Sequence, residues 1–369
     1  MDRTKGSLEL KQEVMDSGVC ARCGLCAELC PYIKAVGERV ALVYPCGLEE
    51  GNCYRLCPRT PTDWEQIDRS VFNRERVDHV LGNHLEILFA RSLQDDAAEK
   101  GQYGGVVSAL AAYLLEQGRV SGAVLAGGPA GETPQAVVAT SRGEVLACAG
   151  SHYSAAPTLS AVHRAVKEGM DSLAVVGRPC QVLALRKMQG LKDAPGYLPA
   201  KDKVEFIIGL FCFWSLETEI YDLLSRRAGG QKILKVDIPQ DFLTITTESG
   251  STNIPIEEVR PFIRPTCQLC FDPTSEFADV SVGSTEYDPQ WNTLIVRSTK
   301  GKEIVDAARA EGIIETKAYP DERLPLLYQA VRNKKLRVLQ ALESGQEAGY
   351  LRLTDQYREN LKRERGMNL

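Results

Sequence analysis

Histidine is scarce in this sequence. Only four of the 369 residues are histidines, at positions 79, 84, 152 and 163, and no two of them stand at a metal-ligand spacing. The shortage argues against a zinc site built on histidine. It also argues against chemistry that depends on an imidazole as the acid or base.

Long apolar runs are absent as well. No stretch approaches the roughly 20 residues of a membrane-spanning helix, and the N-terminal MDRTKGSLELKQE lacks the apolar core of a signal peptide. The 49 acidic residues against 44 basic ones give a net charge of −5, which does not indicate a nucleic-acid-binding surface. We therefore expect a cytoplasmic protein with no membrane span and no nucleic-acid partner.

Cysteine, by contrast, is abundant. Twelve cysteines in a chain without an export signal indicate metal binding rather than disulfides. Residues 20–31 read CARCGLCAELCP, and C-x2-C-x2-C-x3-C-P is the spacing of ferredoxin clusters. A zinc knuckle or a disulfide would explain one C-x2-C pair but not the other two cysteines and Pro31. We expect a helix to begin in this run and to carry its fourth cysteine to a second cluster.

A second half of the motif follows in altered form. Residues 46–58 read CGLEEGNCYRLCP, which ends like the first run but has one middle cysteine fewer. Cross-ligation assigns the first cluster to Cys20, Cys23, Cys26 and Cys57. It leaves the second cluster with Cys30, Cys46 and Cys53. A three-iron cluster fits three cysteines, and so does a four-iron cluster with an open iron or an oxygen ligand from Glu49 or Glu50.

After residue 60 the sequence alternates between helical and extended patterns. Helical apolar spacing covers residues 104–117, 157–168 and 180–190, and each stretch precedes an apolar run typical of a strand. These runs are residues 123–126, 173–176 and 204–211. The alternation predicts an α/β domain with at least partly parallel strands, and we place its boundary near residue 75.

Two features of this domain point to cofactors. Gly104–Gly105 and Gly177 stand before helices, where backbone amides bind phosphate, although such glycines also occur in simple tight connections. Four cysteines could hold a third four-iron cluster: Cys180 and Cys212 at strand ends, and the pair Cys267 and Cys270. The alternative for the first two is a buried core thiol. Cys148 has no partner, and we expect it in the core.

Five segments then resemble one known family. In order, they are GGVVSALAAYLLEQGRVSGAVLAG, AGSHYSAAP, GRPCQVLALRKM, IIGLFC and RPTCQLCFDPTSEFADVSVGS. They resemble the beta subunits of coenzyme F420 hydrogenases and dehydrogenases, some of which carry a ferredoxin module in front. The resemblance implies an α/β flavin-binding domain at 76–320. A ferredoxin-like α+β iron–sulfur module would precede it at 1–75, and a helical tail would follow at 321–369.

The resemblance also implies a set of cofactor sites, with FAD as the flavin. The positions that match the family's flavin-binding blocks are Gly104, Gly105, Ser108, Ser151, Tyr153, Ser154, Gly177, Pro179 and Gln181. Glu276 and Asp279 belong to a later block that would lie against the flavin. Cys180, Cys212, Cys267 and Cys270 match cluster ligands, giving two or three four-iron clusters in all, one of them possible as a three-iron cluster.

The function implied is that of an iron–sulfur flavoprotein subunit in an anaerobic redox complex. Such a subunit exchanges a hydride between reduced F420, or a similar carrier, and FAD, and it passes single electrons through its clusters to a partner subunit. The partner would be a hydrogenase, a formate dehydrogenase or a heterodisulfide-reductase-like protein, and no side chain need act as the catalytic acid or base. One departure concerns the carrier. Many relatives have a lysine-rich stretch where this chain reads IPQDF, with Gln240 and Asp241.

Two alternatives to this function remain open. One is an electron-transfer subunit, similar to a polyferredoxin, that has lost its flavin. The other is a family member that uses ferredoxin or NAD(P)H instead of F420. The tail sequence LPLLYQAVRNKKLRVLQALE has helical spacing and indicates either a docking helix or, as is commoner, a packed helix with a solvated charged face.

Overall fold

The computed structural model describes residues 5–192, 198–239, 241–344 and 350–363, so Gln240 lies outside the described residues. Fifteen strands occur in these ranges. They are β1 (Ile33–Val36), β2 (Arg39–Leu42), β3 (Thr62–Asp63), β4 (Glu86–Ser92), β5 (Gly122–Gly127), β6 (Gln135–Ala139), β7 (Leu173–Gly177), β8 (Val204–Leu210), β9 (Lys235–Asp237), β10 (Phe242–Thr247), β11 (Gly250–Pro255), β12 (Val280–Ser284), β13 (Asn292–Val296), β14 (Ile314–Ala318) and β15 (Leu351–Arg352).

Fourteen α-helices occur in the same ranges, together with a π-helix (Lys11–Asp16) and a 3-10 helix (Arg260–Phe262). The α-helices are α1 (Ser7–Leu10), α2 (Asn52–Arg55), α3 (Trp64–Phe72), α4 (Asp95–Lys100), α5 (Val106–Glu116), α6 (Arg142–Ala147), α7 (Ser160–Lys167), α8 (Pro179–Gly190), α9 (Ile220–Arg227), α10 (Ile256–Val259), α11 (Pro265–Gln268), α12 (Thr299–Ala310), α13 (Leu324–Glu343) and α14 (Asp355–Arg363).

An eight-stranded sheet forms the centre of the fold, in the order β14-β4-β13-β12-β8-β7-β5-β6. Strands β12, β8, β7 and β5 are parallel neighbours, whereas β13, β14 and β6 pair antiparallel with theirs. Every residue of β7 and β13 is buried, because helices or loops cover both faces of the sheet at these central strands. The mixed sheet confirms the predicted α/β class.

The helices and strands predicted from periodicity are present, with ends shifted by at most three residues. Helix α5 begins after Gly105, whose φ of +69° suits glycine. Helix α8 begins with Pro179 in its first turn, and the Gln181 side chain accepts a hydrogen bond from the Arg178 amide (2.8 Å). Both helices therefore start where the sequence supplies a start signal.

The N-terminal segment consists of short elements around the first cysteines. Strands β1 and β2 form an antiparallel hairpin, and the short helices α1 and α2 pack against each other. The prediction of a helix that begins in the first cysteine run is wrong, because residues 25–30 form turns and bends. Glu28 has a left-handed φ of +63°, which an α-helix cannot contain, and Pro31 follows directly.

One buried cluster of apolar side chains includes residues from all three predicted segments. It contains Leu25 from the N-terminal segment, Leu185 from the central one, and Val331 and Tyr357 from the C-terminal one. Strand β15 also pairs in parallel with β3. The boundaries at residues 75 and 320 stay sequence predictions, while the three segments pack around a shared core.

Helix α13 differs from the solvated helix that its charge pattern favours. It packs on the domain as expected, but two of its lysines, Lys334 and Lys335, are buried. Lys335 Nζ lies 2.6 Å from Glu276 Oε1, and Arg76 binds the other oxygen of the same carboxylate. Arg76 in turn donates to Asp68 (2.6 Å). These buried charges join the C-terminal helix to α3 and to the segment before β12.

Among the described residues, no helix is both long enough and apolar enough to cross a membrane.

Replacing Lys335 with methionine should destabilise the fold, because Glu276 would lose a cation while remaining fully buried. Removal of one partner from a buried pair typically costs about 3–5 kcal/mol. The measurement is urea-induced unfolding of the anaerobically purified protein, followed by circular dichroism. Lys302→Met is the control, since Lys302 pairs with Glu86 at the surface (2.5 Å) and should change stability by less than about 1 kcal/mol. Equal effects of the two substitutions would contradict a structural role for Lys335.

Candidate functional site

Four cysteines from the two N-terminal runs line one cavity. They are the four assigned above to the first cluster: Cys20, Cys23, Cys26 and Cys57. The other lining residues are apolar or small: Leu10, Val14, Met15, Ala21, Gly24, Val40, Leu56 and Pro58. The structure thus brings the four predicted ligands together in an apolar environment, and their role as ligands stays a prediction.

The backbone around this cavity turns its amides toward the sulfurs. The Arg22 amide donates to Cys20 Sγ and the Arg59 amide to Cys57 Sγ, both at 3.4 Å. Gly24 has a φ of +91°, and a Cβ on it would lie 2.3 Å from the Pro157 carbonyl oxygen. Glycine is therefore required for this turn, which presents three cysteines to one point.

A second group consists of the three cysteines assigned to the incomplete cluster. Burial, followed by the proximity of Cys30 and then of Cys46, raises the pKa of Cys53 to about 12. The Leu48 amide donates to Cys46 Sγ (3.4 Å), which repeats the pattern of the first cavity. Glu49 and Glu50, the candidate oxygen ligands, are exposed.

The four later cysteines line another cavity, next to the carboxyl ends of β7 and β8. Cys180 lies in the first turn of α8 directly after β7, and Cys212 follows β8, where its amide donates to the Pro273 carbonyl (2.8 Å). Cys267 lies in α11 and Cys270 just beyond it. The parallel sheet explains the meeting of the first two, because neighbouring parallel strands end at one edge.

Positively charged side chains surround this second cavity. They are Arg59, Arg178, Arg264 and Lys334. Among the described residues, Arg264 alone of the four forms a salt bridge, with Glu217 (3.4 Å). The others bond to neutral oxygens, for example those of Thr266 and Ser215. The positive charge is therefore largely without a carboxylate.

The pKa directions reflect this crowding of charge. Burial works against the charged form of Arg178, yet the negative charge that Cys180 and Cys212 carry as thiolates holds its pKa above the ordinary value. Burial, followed by repulsion from Arg22, lowers the pKa of Arg264. Anionic sulfur in the cavity would thus offset cations that the protein itself leaves unpaired.

This charge balance tests whether an iron–sulfur cluster fits the cavity. Buried cations without counter-ions are costly, and a cluster held by four cysteine thiolates carries a net negative charge that would offset that cost. No three His, Cys, Asp or Glu side chains in the described ranges are placed to hold a single metal ion. A four-iron cluster differs, since each cysteine binds a different iron. The residues therefore fit a cluster.

The cysteine groups follow one another in space. Ala21 lines both cavities. Cys180 is among the neighbours that raise the pKa of Cys23, after burial and Cys57, and Cys53 is among those that raise the pKa of Cys26, after burial and the thiols of the first cavity. The first cavity consequently lies between the other two groups.

Two of the predicted flavin-binding blocks adjoin the second cavity. Pro179 lines it, between Gly177 and Gln181. The Tyr153 carbonyl accepts hydrogen bonds from the Leu216 amide (2.8 Å) and the Ser215 hydroxyl (3.0 Å), and Ser215 is itself part of the cavity lining. Residues 151–154 therefore lie beside the later cysteines.

The remaining flavin-binding block, with Gly104, Gly105 and Ser108, lies at the start of α5. Asp237 connects this region to the second block, because its carboxylate accepts hydrogen bonds from both Gln102 and Tyr153 (3.3 Å from Tyr153 Oη). A Cβ on Gly104 would lie 2.8 Å from the Ala90 carbonyl oxygen, so backbone packing alone already requires glycine there. The three blocks thus share one edge of the sheet.

Glu276 and Asp279 lie elsewhere. Glu276 is fully buried between Arg76 and Lys335. Asp279 precedes β12, at the strand end opposite to the carboxyl edge, and its carboxylate accepts hydrogen bonds from the Ile207 amide (2.9 Å) and Ser298 (2.8 Å). The structure gives both carboxylates internal partners and does not bring them to the other flavin-block residues.

The cations of the second cavity are residues that the sequence interpretation missed. A signal existed for three of them, since Arg59, Arg178 and Arg264 each stand two or three positions from a candidate ligand. Lys334 offers no such signal. Its ammonium group lies 3.3 Å from the carbonyl oxygen of Cys212, but the two residues are 122 positions apart in the sequence.

Comparison with known proteins identifies the family. The family description "coenzyme F420 hydrogenase/dehydrogenase, beta subunit" matches residues 87–163 with its N-terminal part and residues 170–322 with its C-terminal part. The chain belongs to this family. Residues before 87, which include the first seven cysteines, precede both matched ranges of the beta-subunit description.

Relatives of the F420 beta-subunit family cover different shares of the chain. A coenzyme F420 hydrogenase subunit beta from Methanosarcina barkeri is 33% identical over 70% of this chain and 90% of its own length. A coenzyme F420-dependent sulfite reductase from Methanocaldococcus jannaschii is 34% identical over 82% of this chain, which spans only 48% of that protein. A chain of the F420-reducing NiFe hydrogenase complex from Methanosarcina barkeri superposes with a TM-score of 0.66. It is 30% identical and covers 72% of this chain and 94% of its own length.

Loss of one cysteine of the second cavity should remove one cluster. We expect Cys267→Ala to lower iron and acid-labile sulfide by about four atoms each per chain. The measurement is iron and sulfide analysis of the protein purified without oxygen. Cys148→Ala is the matched control, since Cys148 packs against Gly127, away from all three groups. Unchanged iron in Cys267→Ala would contradict a cluster in this cavity.

Proposed function

We propose that this protein is an iron–sulfur flavoprotein subunit of an anaerobic oxidoreductase. In this proposal it exchanges a hydride with F420 or a similar two-electron carrier and passes single electrons to a partner subunit. The observation that carries the proposal is the succession of three cysteine groups that begins beside the flavin-block residues. Membership of the F420 beta-subunit family supports it, as does the relationship to subunits of redox complexes.

The residues of the carboxyl edge would hold the flavin. Gly104, Gly105 and the first amide groups of α5 lie at this edge, where the flavin would bind. Tyr153 and Asp237 link this part of the edge to the later cysteines. The chemistry that a bound FAD supplies is the exchange of an electron pair, taken as hydride, for single electrons. The protein's own share is to position that group against Pro179 and the second cavity and to limit the access of water to the partly buried thiols.

The cysteine groups would carry the single electrons. Cys180, Cys212, Cys267 and Cys270 are nearest to the flavin blocks, and the first cavity follows across Ala21. The group of Cys30, Cys46 and Cys53 stands beyond it, in the part of the chain where exposed apolar side chains such as Tyr44 and Leu48 occur. The route therefore leads from the sheet toward the N-terminal surface, where a partner subunit would dock.

The identity of the carrier depends on charge at the carboxyl edge. F420 bears a phosphate and a glutamate tail, which lysines would favour. This chain has Gln240 and Asp241 in the corresponding segment instead. F420 stays the first candidate, because the chain belongs to the F420 beta-subunit family. A nicotinamide and reduced ferredoxin are the other donors to compare.

Reduced F420 should bleach the flavin absorbance of the purified protein within one turnover, because hydride transfer reduces the bound FAD. The measurement is anaerobic titration of the holoprotein with reduced F420, NADH and reduced ferredoxin, one donor at a time. Rapid reduction by another donor alone would contradict F420 as the carrier. Iron–sulfur absorbance without any flavin would instead leave an electron-transfer subunit as the function.

The group of Cys30, Cys46 and Cys53 should hold a three-iron cluster, since no fourth cysteine remains for it. A three-iron cluster gives an electron paramagnetic resonance signal in the oxidised protein, whereas intact four-iron ferredoxin clusters do not. We expect that signal in the oxidised wild-type protein and its loss in Cys46→Ala. An oxidised protein without the signal, but with iron for three four-iron clusters, would establish a four-iron cluster with an open iron or an oxygen ligand instead.

A further inference from the structure

The two cysteine-lined cavities differ sharply in charge, although each has four cysteines. Every residue other than cysteine that lines the first cavity is uncharged. Four cations line the second: Arg59, Arg178, Arg264 and Lys334. Arg59, Arg264 and Lys334 are at most 8% exposed, so solvent screens their charges little.

Lys334 is the cation whose position depends most on the tertiary fold. Helix α13 places its ammonium group at the carbonyl oxygens of Cys212 (3.3 Å) and Phe213. The neighbouring Lys335 points to Glu276 instead and does not line the cavity. Of these two adjacent lysines, Lys334 thus places its charge at the cysteines and Lys335 pairs with a buried carboxylate.

Arg59 and Arg178 are held in place by uncharged partners. Arg59 donates to the Thr266 side chain and carbonyl, both at 3.0 Å, and stacks over the Tyr350 ring. Arg178 donates to Ser215 Oγ (2.9 Å). Because neither is neutralised by a carboxylate, their positive charge acts on whatever the cysteines bind.

The first cavity is not wholly remote from positive charge. Lys187 donates to the Cys57 carbonyl (2.7 Å) and to three oxygens of Thr60 and Pro61, so it stands behind the cysteine rather than in the cavity. Arg59 also follows Cys57 closely. The two cavities thus differ in their lining: four cations line the second cavity, and none lines the first.

A cluster gains negative charge when it is reduced, so nearby cations stabilise the reduced form more than the oxidised form. Net charge, hydrogen bonds to sulfur and solvent exposure set the potentials of iron–sulfur clusters. In a buried site the electrostatic effect of each cation is larger than in water. The cationic cavity therefore favours the reduced cluster.

We propose that Lys334, with Arg59, Arg178 and Arg264, raises the reduction potential of the cluster in the second cavity above that of the cluster in the first. The cluster nearest to the flavin blocks is then the one in which a single electron rests. This inference rests on the proposed function only for the presence of both clusters. The four cations are positioning residues that act through the cluster and do not touch a substrate.

The test is a potentiometric titration of the holoprotein with dithionite, in which electron paramagnetic resonance follows each cluster separately. In Lys334→Met, which removes the charge and keeps the length, the ratio of reduced to oxidised second-cavity cluster at fixed potential should fall on the order of tenfold. The first-cavity cluster should change less. Lys334→Arg should restore the wild-type ratio, and the exposed Lys302→Met should leave both clusters unchanged.

Two further variants assign the signals and guard against misfolding. Cys267→Ser and Cys26→Ser identify which signal belongs to which cavity. If Lys334→Met loses iron, Arg178→Met provides the same measurement, with the same expected direction. A variant with full iron content in which neither cluster potential changes, or in which both change equally, would overturn the inference. Wild-type protein without iron would overturn the proposed function instead.

Discussion

Uncompensated positive charge around the later cysteines is the interaction on which the site depends. Three buried or half-buried cations, Arg59, Arg178 and Lys334, bond to neutral oxygens in a place where water cannot solvate them fully. Such an arrangement is stable only when negative charge is nearby. As ligands of the proposed cluster, the four cysteines would supply it as thiolates, so the cationic lining suits that cluster.

Other side chains around the second cavity also connect distant parts of the chain. Arg264, just before α11, donates to the carbonyls of Cys20 (2.8 Å) and Ala21 (3.2 Å), and Thr266 donates to the Val19 carbonyl (2.6 Å). These bonds attach the first cysteine turn to the segment that carries Cys267. The relative position of the two cavities is therefore fixed by hydrogen bonds as well as by the shared apolar core.

Local features of the site could be predicted from the sequence. The grouping of Cys20, Cys23, Cys26 and Cys57 follows from spacing alone, and the positions of Cys180 and Cys212 follow from the rule that parallel strands end at one edge. The turn at Glu28 could not be foreseen, because a left-handed glutamate leaves no sequence signature. The helix expected there is absent for that reason.

Features that depend on tertiary packing could not be predicted from the sequence. Lysines in an amphipathic pattern are read as solvent-facing, yet Lys334 and Lys335 are buried because the fold provides carbonyl oxygens and Glu276 as partners. The placement of Glu276 and Asp279 away from the carboxyl edge has a similar cause. Their short motif matches the family pattern, but their contacts are set by Arg76, Lys335 and the β8 backbone.

The contribution of α13 has a consequence for how the protein is made. The cysteines of the second cavity are all synthesised by residue 270, but its lining is completed only by Lys334, and β15 joins β3 later still. A ribosome exposes a chain from its N-terminus, so every residue that lines the first cavity has been synthesised by residue 58, long before the lining of the second is complete.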